Sequence, residues 1–264
     1  MGRDDLNREA VLRELNGRVP NIDLLVYDEV TSTNTVLKEM AREGAPEWRV
    51  VLANRQSGGR GRKGRVFFSP GDTGIYVSML IKPDLPPERA SFLTTAAAVS
   101  VCESVNRICK VECGIKWVND VFCNDRKICG ILTESDTCYE TGALNWVIVG
   151  IGVNILPPTE KIPDELSNIF STVYQETPDY PVRNQLAAEV IASMAKYASG
   201  SPEDYLQYYR KHCFILGREV QIITGDKVRF AKALDVDENI HLHVQYTDTG
   251  ETDELFAGEV SIRL

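Results

Sequence analysis

Apolar and polar positions divide the chain into two unlike parts. In the first, Leu24-Leu-Val-Tyr27 and Arg49-Val-Val-Leu-Ala53 are short apolar runs that read as strands. Between them Val36, Leu37, Met40 and Ala41 recur at helical spacing, and Thr31-Ser-Thr-Asn34 stands where that helix starts. An isolated Ser32 there reads first as an N-cap. One short helical pattern, with Val11, Leu12 and Leu15 on one side, precedes all of this. After the turn Ser69-Pro-Gly-Asp-Thr-Gly74, Ile75-Tyr-Val-Ser-Met-Leu-Ile81 alternates and predicts a strand. A long helix follows over roughly 87–108, with Leu93, Ala97, Val101, Val105 and Ile108 along one side. Ile115-Lys-Trp117 and Val121-Phe-Cys123 read as short strands, and Asn124-Asp-Arg126 as a hairpin turn into a strand over 127–133. Trp146-Val-Ile-Val149 predicts a strand buried on both faces, and about 181–213 is helical by pattern.

The last fifty residues change character. Arg218-Glu-Val-Gln-Ile-Ile223, Lys227-Val-Arg-Phe230, Ile240-His-Leu-His-Val-Gln-Tyr246 and Glu259-Val-Ser-Ile-Arg263 are short strands separated by turns at Gly225-Asp226, Asp237-Glu-Asn239 and Thr249-Gly250. They predict a small all-β module, a partly open barrel of five or six strands. The expected division is 1–213 and 214–264. The second part holds ten acids against five Lys and Arg, a poor nucleic-acid surface and a plausible protein-docking one.

Composition adds exclusions. The 264 residues carry a formal net charge of -9, with 25% charged and 43% AVILMFWYC residues, an ordinary balance for a soluble globular protein. The acidic balance argues against a general nucleic-acid binder. No apolar run approaches the roughly 20 residues needed to span a bilayer, and the first ten residues lack the apolar core of a signal peptide. A cytoplasmic protein with no membrane or nucleic-acid partner is the expectation. Seven cysteines, without Cys-x2-Cys spacing, and three histidines complete no ligand set together; the cysteines read as small buried hydrophobes in a reducing compartment.

Against that acidic background stands one loop, Asn54-Arg-Gln-Ser-Gly-Gly-Arg-Gly-Arg-Lys-Gly-Arg65, with five cations, four glycines and no acid. Glycine lets backbone approach a ligand closely, and arginine presents a planar fork suited to carboxylate and phosphate oxygens. The loop reads either as a solvated basic turn or as a cradle for a small, highly charged anion. Other segments bear on that choice: Ser32-Thr-Asn34 upstream, then Lys116-Trp-Val-Asn-Asp120, Arg126-Lys-Ile-Cys-Gly-Ile-Leu-Thr-Glu134 and Gly150-Ile-Gly-Val-Asn154. Each alone is weak.

In this order and spacing the five segments resemble the biotin protein ligases, enzymes that attach biotin to a lysine of a carrier domain. The specific motifs are the Gly-Arg-Gly-Arg-Lys-Gly-Arg run from Gly59 to Arg65, Lys-Trp-x-Asn-Asp and Arg-Lys-x-x-Gly-Ile-Leu. The resemblance covers about 27–154, and the terminal module resembles the family's SH3-like domain. It implies an α+β fold: a mixed sheet flanked by helices, like that of class II aminoacyl-tRNA synthetases, followed by the SH3-like β-barrel. It implies ATP and biotin as substrates with Mg2+, a biotin carboxyl carrier domain as partner, and two steps through biotinyl-AMP. Neither step needs an enzyme nucleophile.

Carried over position by position, the resemblance implies that Ser32, Thr33, Asn34 and Gln56 meet biotin, with Ser32, Thr33 and Gln56 on its ureido ring. Gly59, Arg60, Gly61 and Arg62 would lie over its carboxylate, with Gly130, Gly150 and Gly152 leaving room. Arg62, Lys63, Arg65, Phe67, Lys116, Asn119 and Asn154 would hold ATP, and Asp120 a magnesium ion. Lys127, Arg62 and Lys116 are the expected catalytic cations, Lys127 first. Two positions depart from the family: Phe67 stands where a tryptophan is usual, losing the indole NH, and Val118 stands where a proline is usual, so the turn carrying Asn119 and Asp120 would be held by packing. About twenty residues precede the strand at Leu24, too few for the winged helix-turn-helix of repressor relatives, so a monofunctional ligase is expected. Dimers are common in the family. Lipoate or octanoate transfer on the same fold is the alternative, and a non-enzymatic nucleotide- or nucleic-acid-binding module a more distant one.

Overall fold

Helix α1 (Arg8–Leu15) begins at Asn7, whose Oδ1 accepts the Ala10 amide at 2.8 Å, and ends at Asn16 in the left-handed region. The computed structural model describes residues 4–83, 86–87, 90–224, 227–256 and 259–262. Strand β1 (Asp23–Val30), helix α2 (Thr33–Arg42) and strand β2 (Arg49–Gln56) form a crossover unit in which β1 and β2 pair in parallel. Then come β3 (Gly74–Ile81), helix α3 (Ala90–Ser104), and strands β4 (Gly114–Lys116), β5 (Asp120–Cys123), β6 (Arg126–Thr137) and β7 (Leu144–Asn154). Asn124 and Asp125 both take positive φ, the conformation a two-residue hairpin between β5 and β6 requires. Helices α4 (Arg183–Ser199) and α5 (Glu203–His212) complete the first part.

Among the described residues the strands form a seven-stranded sheet in the order β1-β2-β3-β7-β6-β5-β4, antiparallel except for the β1–β2 pair. Strand β3 is buried along its whole length, so its alternation separates two interiors rather than core from solvent. Ile75, Val77, Met79 and Ile81 join the main core beneath α3 and α4, while Leu80 packs with Leu37 and Ala41 of α2. The one-sided pattern expected for α3 is likewise exceeded: Phe92, Leu93, Ala96, Ala97, Val99 and Val101 are all buried, because α3 lies between the sheet and helices α4 and α5. The helical stretch expected over 181–213 is two helices, broken at Gly200-Ser-Pro202, where proline lacks the amide needed to continue a helix.

Arg183, at the start of α4, has no exposed surface. Its guanidinium donates to Gly74 O (2.9 and 2.7 Å), Asp4 O (2.9 Å) and Asn54 Oδ1 (2.5 Å), so it ties the ends of β2 and β3 to the N-terminal segment. Burial lowers its pKa, and Asp4 opposes that.

The second part contains β8 (Glu219–Thr224), β9 (Lys227–Val236), β10 (Leu242–Tyr246), β11 (Thr252–Leu255) and β12 (Glu259–Ile262). They form a five-stranded antiparallel sheet in the order β11-β10-β9-β8-β12. Strand β9 runs beyond the expected Phe230, and β11 was not expected. The expected turn at Gly225-Asp226, and Arg263 at the end of the last strand, lie outside the described residues. Val220, Ile222, Ala231, Val236, Leu242 and Val244 of this sheet belong to the same buried cluster as the core of the first part. Among the described residues no helix is long and apolar enough to cross a membrane.

Candidate active site

The site lies on the face of the seven-stranded sheet that carries α2. The register there aligns Tyr76, Gly152, Gly130 and Asp120 in one row and Ser78, Gly150 and Leu132 in the next. Glycine in the middle of both rows leaves a trough across three strands. A Cβ at Gly150 would collide with the Asn34 amide, and one at Gly152 with the Phe67 ring. The room these glycines leave is thus shared with the protein's own side chains. Every residue chosen from the sequence except Gly59 lines one cavity of about 750 Å³. Gly59 is buried beneath the loop, where a Cβ would strike the Phe67 carbonyl oxygen.

One end of the trough is a network of uncharged donors and acceptors. Gln56 Oε1 accepts from the Thr33 amide (2.8 Å) and Thr33 Oγ1 (3.2 Å), while Gln56 Nε2 donates to Ser69 Oγ (2.9 Å). Ser78 Oγ stands 2.7 Å from Thr33 Oγ1 and 2.6 Å from Asn34 Oδ1, both acceptors for its single proton. Ser32 occupies the N-cap position of α2, yet its side chain makes no cap hydrogen bond. The expectation of Ser32 at the cap holds for its position and fails for its side chain. Its hydroxyl belongs to the cavity wall, and Ser32, Thr33 and Asn34 are all buried.

The Asn34 amide donates onward to Leu132 O (3.2 Å) and Glu134 Oε2 (3.0 Å). Glu134 also takes an ion pair from Arg60 at 3.0 Å and one from Lys38 at 3.3 Å. Burial would raise its carboxyl, but the Asn34 amide, with Arg60 and Lys38, outweighs it and holds Glu134 below the usual carboxylate range.

The cationic loop is folded back as a small hairpin. Arg60 and Val66 bridge, the Gly61 amide donates to Arg65 O (2.7 Å), and Lys63 takes a φ of 55° in the tight turn at 62–64. Arg62 Nη1 donates to Asn119 Oδ1 (2.8 Å), and Asn119 Nδ2 donates to Ile131 O (2.9 Å). The segment with Val118 for proline is thus held by hydrogen bonds as well as packing, and its Trp117–Val118 peptide is cis. Lys127 Nζ pairs with Asp120 Oδ1 at 2.7 Å, and Lys116 Nζ lies 5.6 Å from the centre of the Phe122 ring. Phe67 stands over Gly152 and Gly130, edge-on to Tyr76. Asn154 Oδ1, at the far end of the trough, is buried without a hydrogen-bond partner among the described residues, an acceptor suited to a ligand donor.

Several contributors escaped the sequence reading. Ser78 is the lone serine in an apolar strand, a position whose role depends on which elements lie beside it. Leu166, Ile169 and Phe170 come from the long connection between β7 and α4, which closes one wall: the Lys127 amide donates to Ile169 O (2.7 Å), the Ser171 amide to Lys127 O (2.9 Å), and Phe170 meets Phe68 at 5.8 Å. No local pattern marks that segment. Six of the seven cysteines are buried, and burial pushes the Cys102 and Cys213 thiols up to about 12, far from a reactive thiolate.

Comparison with known proteins identifies the family. A profile of the biotin/lipoate A/B protein ligase family matches residues 26–154. The bifunctional ligase/repressor BirA of Bacillus spizizenii is 30% identical over 241 residues, 88% of this chain and 72% of that protein. The biotin–[acetyl-CoA-carboxylase] ligase of Mycobacterium tuberculosis is 27% identical over 89% of this chain and 87% of its own length. The biotin protein ligase from Aquifex aeolicus, solved with biotin and ATP, superposes with a TM-score of 0.72 at 24% identity, covering 91% of this chain and 98% of that one, and shares the fold. The chain belongs to the biotin/lipoate A/B protein ligase family. Within it, the proteins it resembles are biotin protein ligases, and the chain is a ligase.

Proposed function

We propose that this chain is an ATP-dependent biotin protein ligase that forms biotinyl-AMP and transfers biotin to a lysine of a biotin carboxyl carrier domain. The observation that carries this reading is the polarity of the trough: an uncharged hydrogen-bonding end joined to a cationic end with an aromatic ring between them. A ureido ring has one carbonyl and two NH groups, and Ser32, Thr33 and Gln56 supply matching acceptors and donors, with Asn34 beside them. Biotin's carboxylate would then point toward Arg62 and Lys127, with Arg60, Gly61 and Gly59 above it. ATP would occupy the other end, its adenosine near Phe67, Asn119 and Asn154 and its phosphates near Lys63, Arg65 and Lys116.

In the first step a carboxylate oxygen bonds to the α-phosphorus and the bond to pyrophosphate breaks. Bringing an anion to a polyanion makes charge neutralisation and positioning the dominant needs. Lys127, Arg62 and Lys116 meet the first need, Lys127 leaving Asp120 for the substrate anion. Asp120 would then be the carboxylate for Mg2+, an ion commonly bound by one or two carboxylates and substrate phosphates, where it offsets triphosphate charge. In the second step the acceptor lysine amine attacks the acyl carbon, an amide forms and AMP leaves. Residues 1–213 would carry both steps, and 214–264 the docking of the acceptor; pairing of two copies through a sheet edge accords with this reading.

The test is direct. Protein, biotin, ATP and Mg2+ are mixed, biotinyl-AMP is sought by mass spectrometry, and a carrier domain is then added to follow the label. Biotinyl-AMP, label on the carrier domain and, in a parallel assay, biotin-dependent ATP–pyrophosphate exchange are the expected results. Exchange with lipoate or octanoate instead would move the chain to the other branch of its family, and no exchange with any of them would remove the activity.

A further inference from the structure

The Asp237-Glu-Asn-Ile-His-Leu-His243 run in the second part has no role in the proposed reaction. His243 on β10 stands directly opposite Glu254 on β11. His241 lies two residues earlier, and Asp237 closes the preceding turn. Ligand atoms of Asp237, His243 and Glu254 all lie within 4.8 Å of one another. His243 Nε2 and His241 Nδ1 are each 3.4 Å from Asp237 Oδ2, and His241 Nδ1 is 2.5 Å from Glu254 Oε1. Ligands about 2.1 Å from a tetrahedral zinc ion stand roughly 3.4 Å apart, so two of these separations are already those of a coordination shell.

We propose that Asp237, His243 and Glu254, whose ligand atoms already converge, bind one divalent cation of the Zn2+ and Co2+ class, with the neighbouring His241 turning in as the fourth ligand. Two imidazoles and two carboxylates make a donor set of intermediate softness, better matched to zinc than to Mg2+ or Ca2+, which favour oxygen alone. Asp237 is preset: its Oδ1 accepts the amides of Asn239 and His241, both at 2.8 Å, which leaves Oδ2 facing the two rings. Cation binding at His241 Nδ1 replaces the contact between that nitrogen and Glu254: the Nδ1 proton is released, and the neutral ring carries its remaining proton on Nε2. The side chains are 22–42% exposed, so the ion has a path from solvent.

The cluster also borders the active site. Ile240, between Asp237 and His241, has a φ of 70°, a rare conformation for a β-branched residue, and its carbonyl accepts Trp117 Nε1 at 2.9 Å. Trp117 lies between Lys116 and Asn119. A cation pinning Asp237 to His241 and His243 clamps the turn that receives this bond.

The test uses the full chain without a histidine tag, freed of metal by a chelator and titrated with Co2+ in the absence of ATP. Expected is saturation at about one Co2+ per chain, with the visible absorption of a four-coordinate site and no sulfur-to-metal charge-transfer band. His243→Ala and Glu254→Gln should weaken binding by about tenfold or more, while His212→Ala leaves it unchanged. Zn2+ should raise the melting temperature of the wild type and of His212→Ala only. Matching circular dichroism and melting of all metal-free forms establishes that the variants fold. No saturable absorption in the wild type, a thiolate band, or equal Co2+ affinity across the variants overturns the proposal and leaves an ordinary histidine–carboxylate hydrogen-bond cluster.

Discussion

Lys127 illustrates how a residue readable from the sequence gains meaning from its surroundings. Its backbone is held by the Phe170 segment and its ammonium by Asp120, so the charge stands at the edge of the trough rather than in solvent. Removing one well-placed donor of this kind costs ~2.7–4 kcal/mol of activation energy, roughly a hundred- to a thousand-fold in rate. Lys127→Ala should nearly abolish biotinyl-AMP formation while melting like the wild type. Formation at the wild-type rate with biotin affinity unchanged would take the role from Lys127. Ser78 is the complementary case, a residue the sequence reading passed over. Ser78→Ala removes the hydroxyl shared by Thr33 and Asn34 and should weaken biotin binding by about tenfold, the scale of one hydrogen bond. Calorimetry showing unchanged affinity would make Ser78 a packing residue only. The cations were legible because their density is unusual in an acidic chain. Ser78 was not, because its importance depends on which strand lies beside α2, and register is a long-range property.

At the scale of elements, the loop from Asn54 to Arg65 joins the sheet through Arg60 and Glu134, and that contact is open to titration. Glu134 has a folded-state pKa below that of an unfolded glutamate, so it contributes stability present above about pH 4.3 and lost as pH falls through the lower folded value. The wild type should therefore lose more stability on acidification than Glu134→Gln does, as melting temperatures recorded across pH would show. Parallel curves would mean that the pair contributes nothing. The loop's like charges and glycines also predict that biotin and ATP together slow protease cleavage within it, because the ligands supply the missing negative charge. Equal cleavage with and without them would leave it a basic turn. Most elements were readable in the sequence, since apolar periodicity is local. Thr252–Leu255 was not: its strand is mostly exposed, so no apolar pattern reports it. The active-site wall around Phe170 was hidden for a different reason, its shape being set by backbone contacts to Lys127 rather than by helical or strand periodicity.

For the whole molecule, the trough is assembled from segments far apart in the chain, and Arg183 ties together the ends of β2 and β3, which flank the cationic loop. The ends of β2 and β3, between which the cationic loop runs, find this hydrogen-bonding partner more than a hundred residues later. During synthesis, the segments bearing every proposed biotin and ATP contact have therefore been made before the side chain that fixes the loop's base arrives. Until then Gly74 O lacks its guanidinium, a costly state for a buried carbonyl. A fragment ending at Asp179 is expected to remain protease-sensitive between Asn54 and Gly74, whereas the full chain is resistant at both ends of that span. Protection in the fragment would show that the strands close unaided. The site's readiness then turns on a residue outside it: a growing chain that already holds every proposed biotin- and ATP-binding side chain still lacks the tie at the base of its loop.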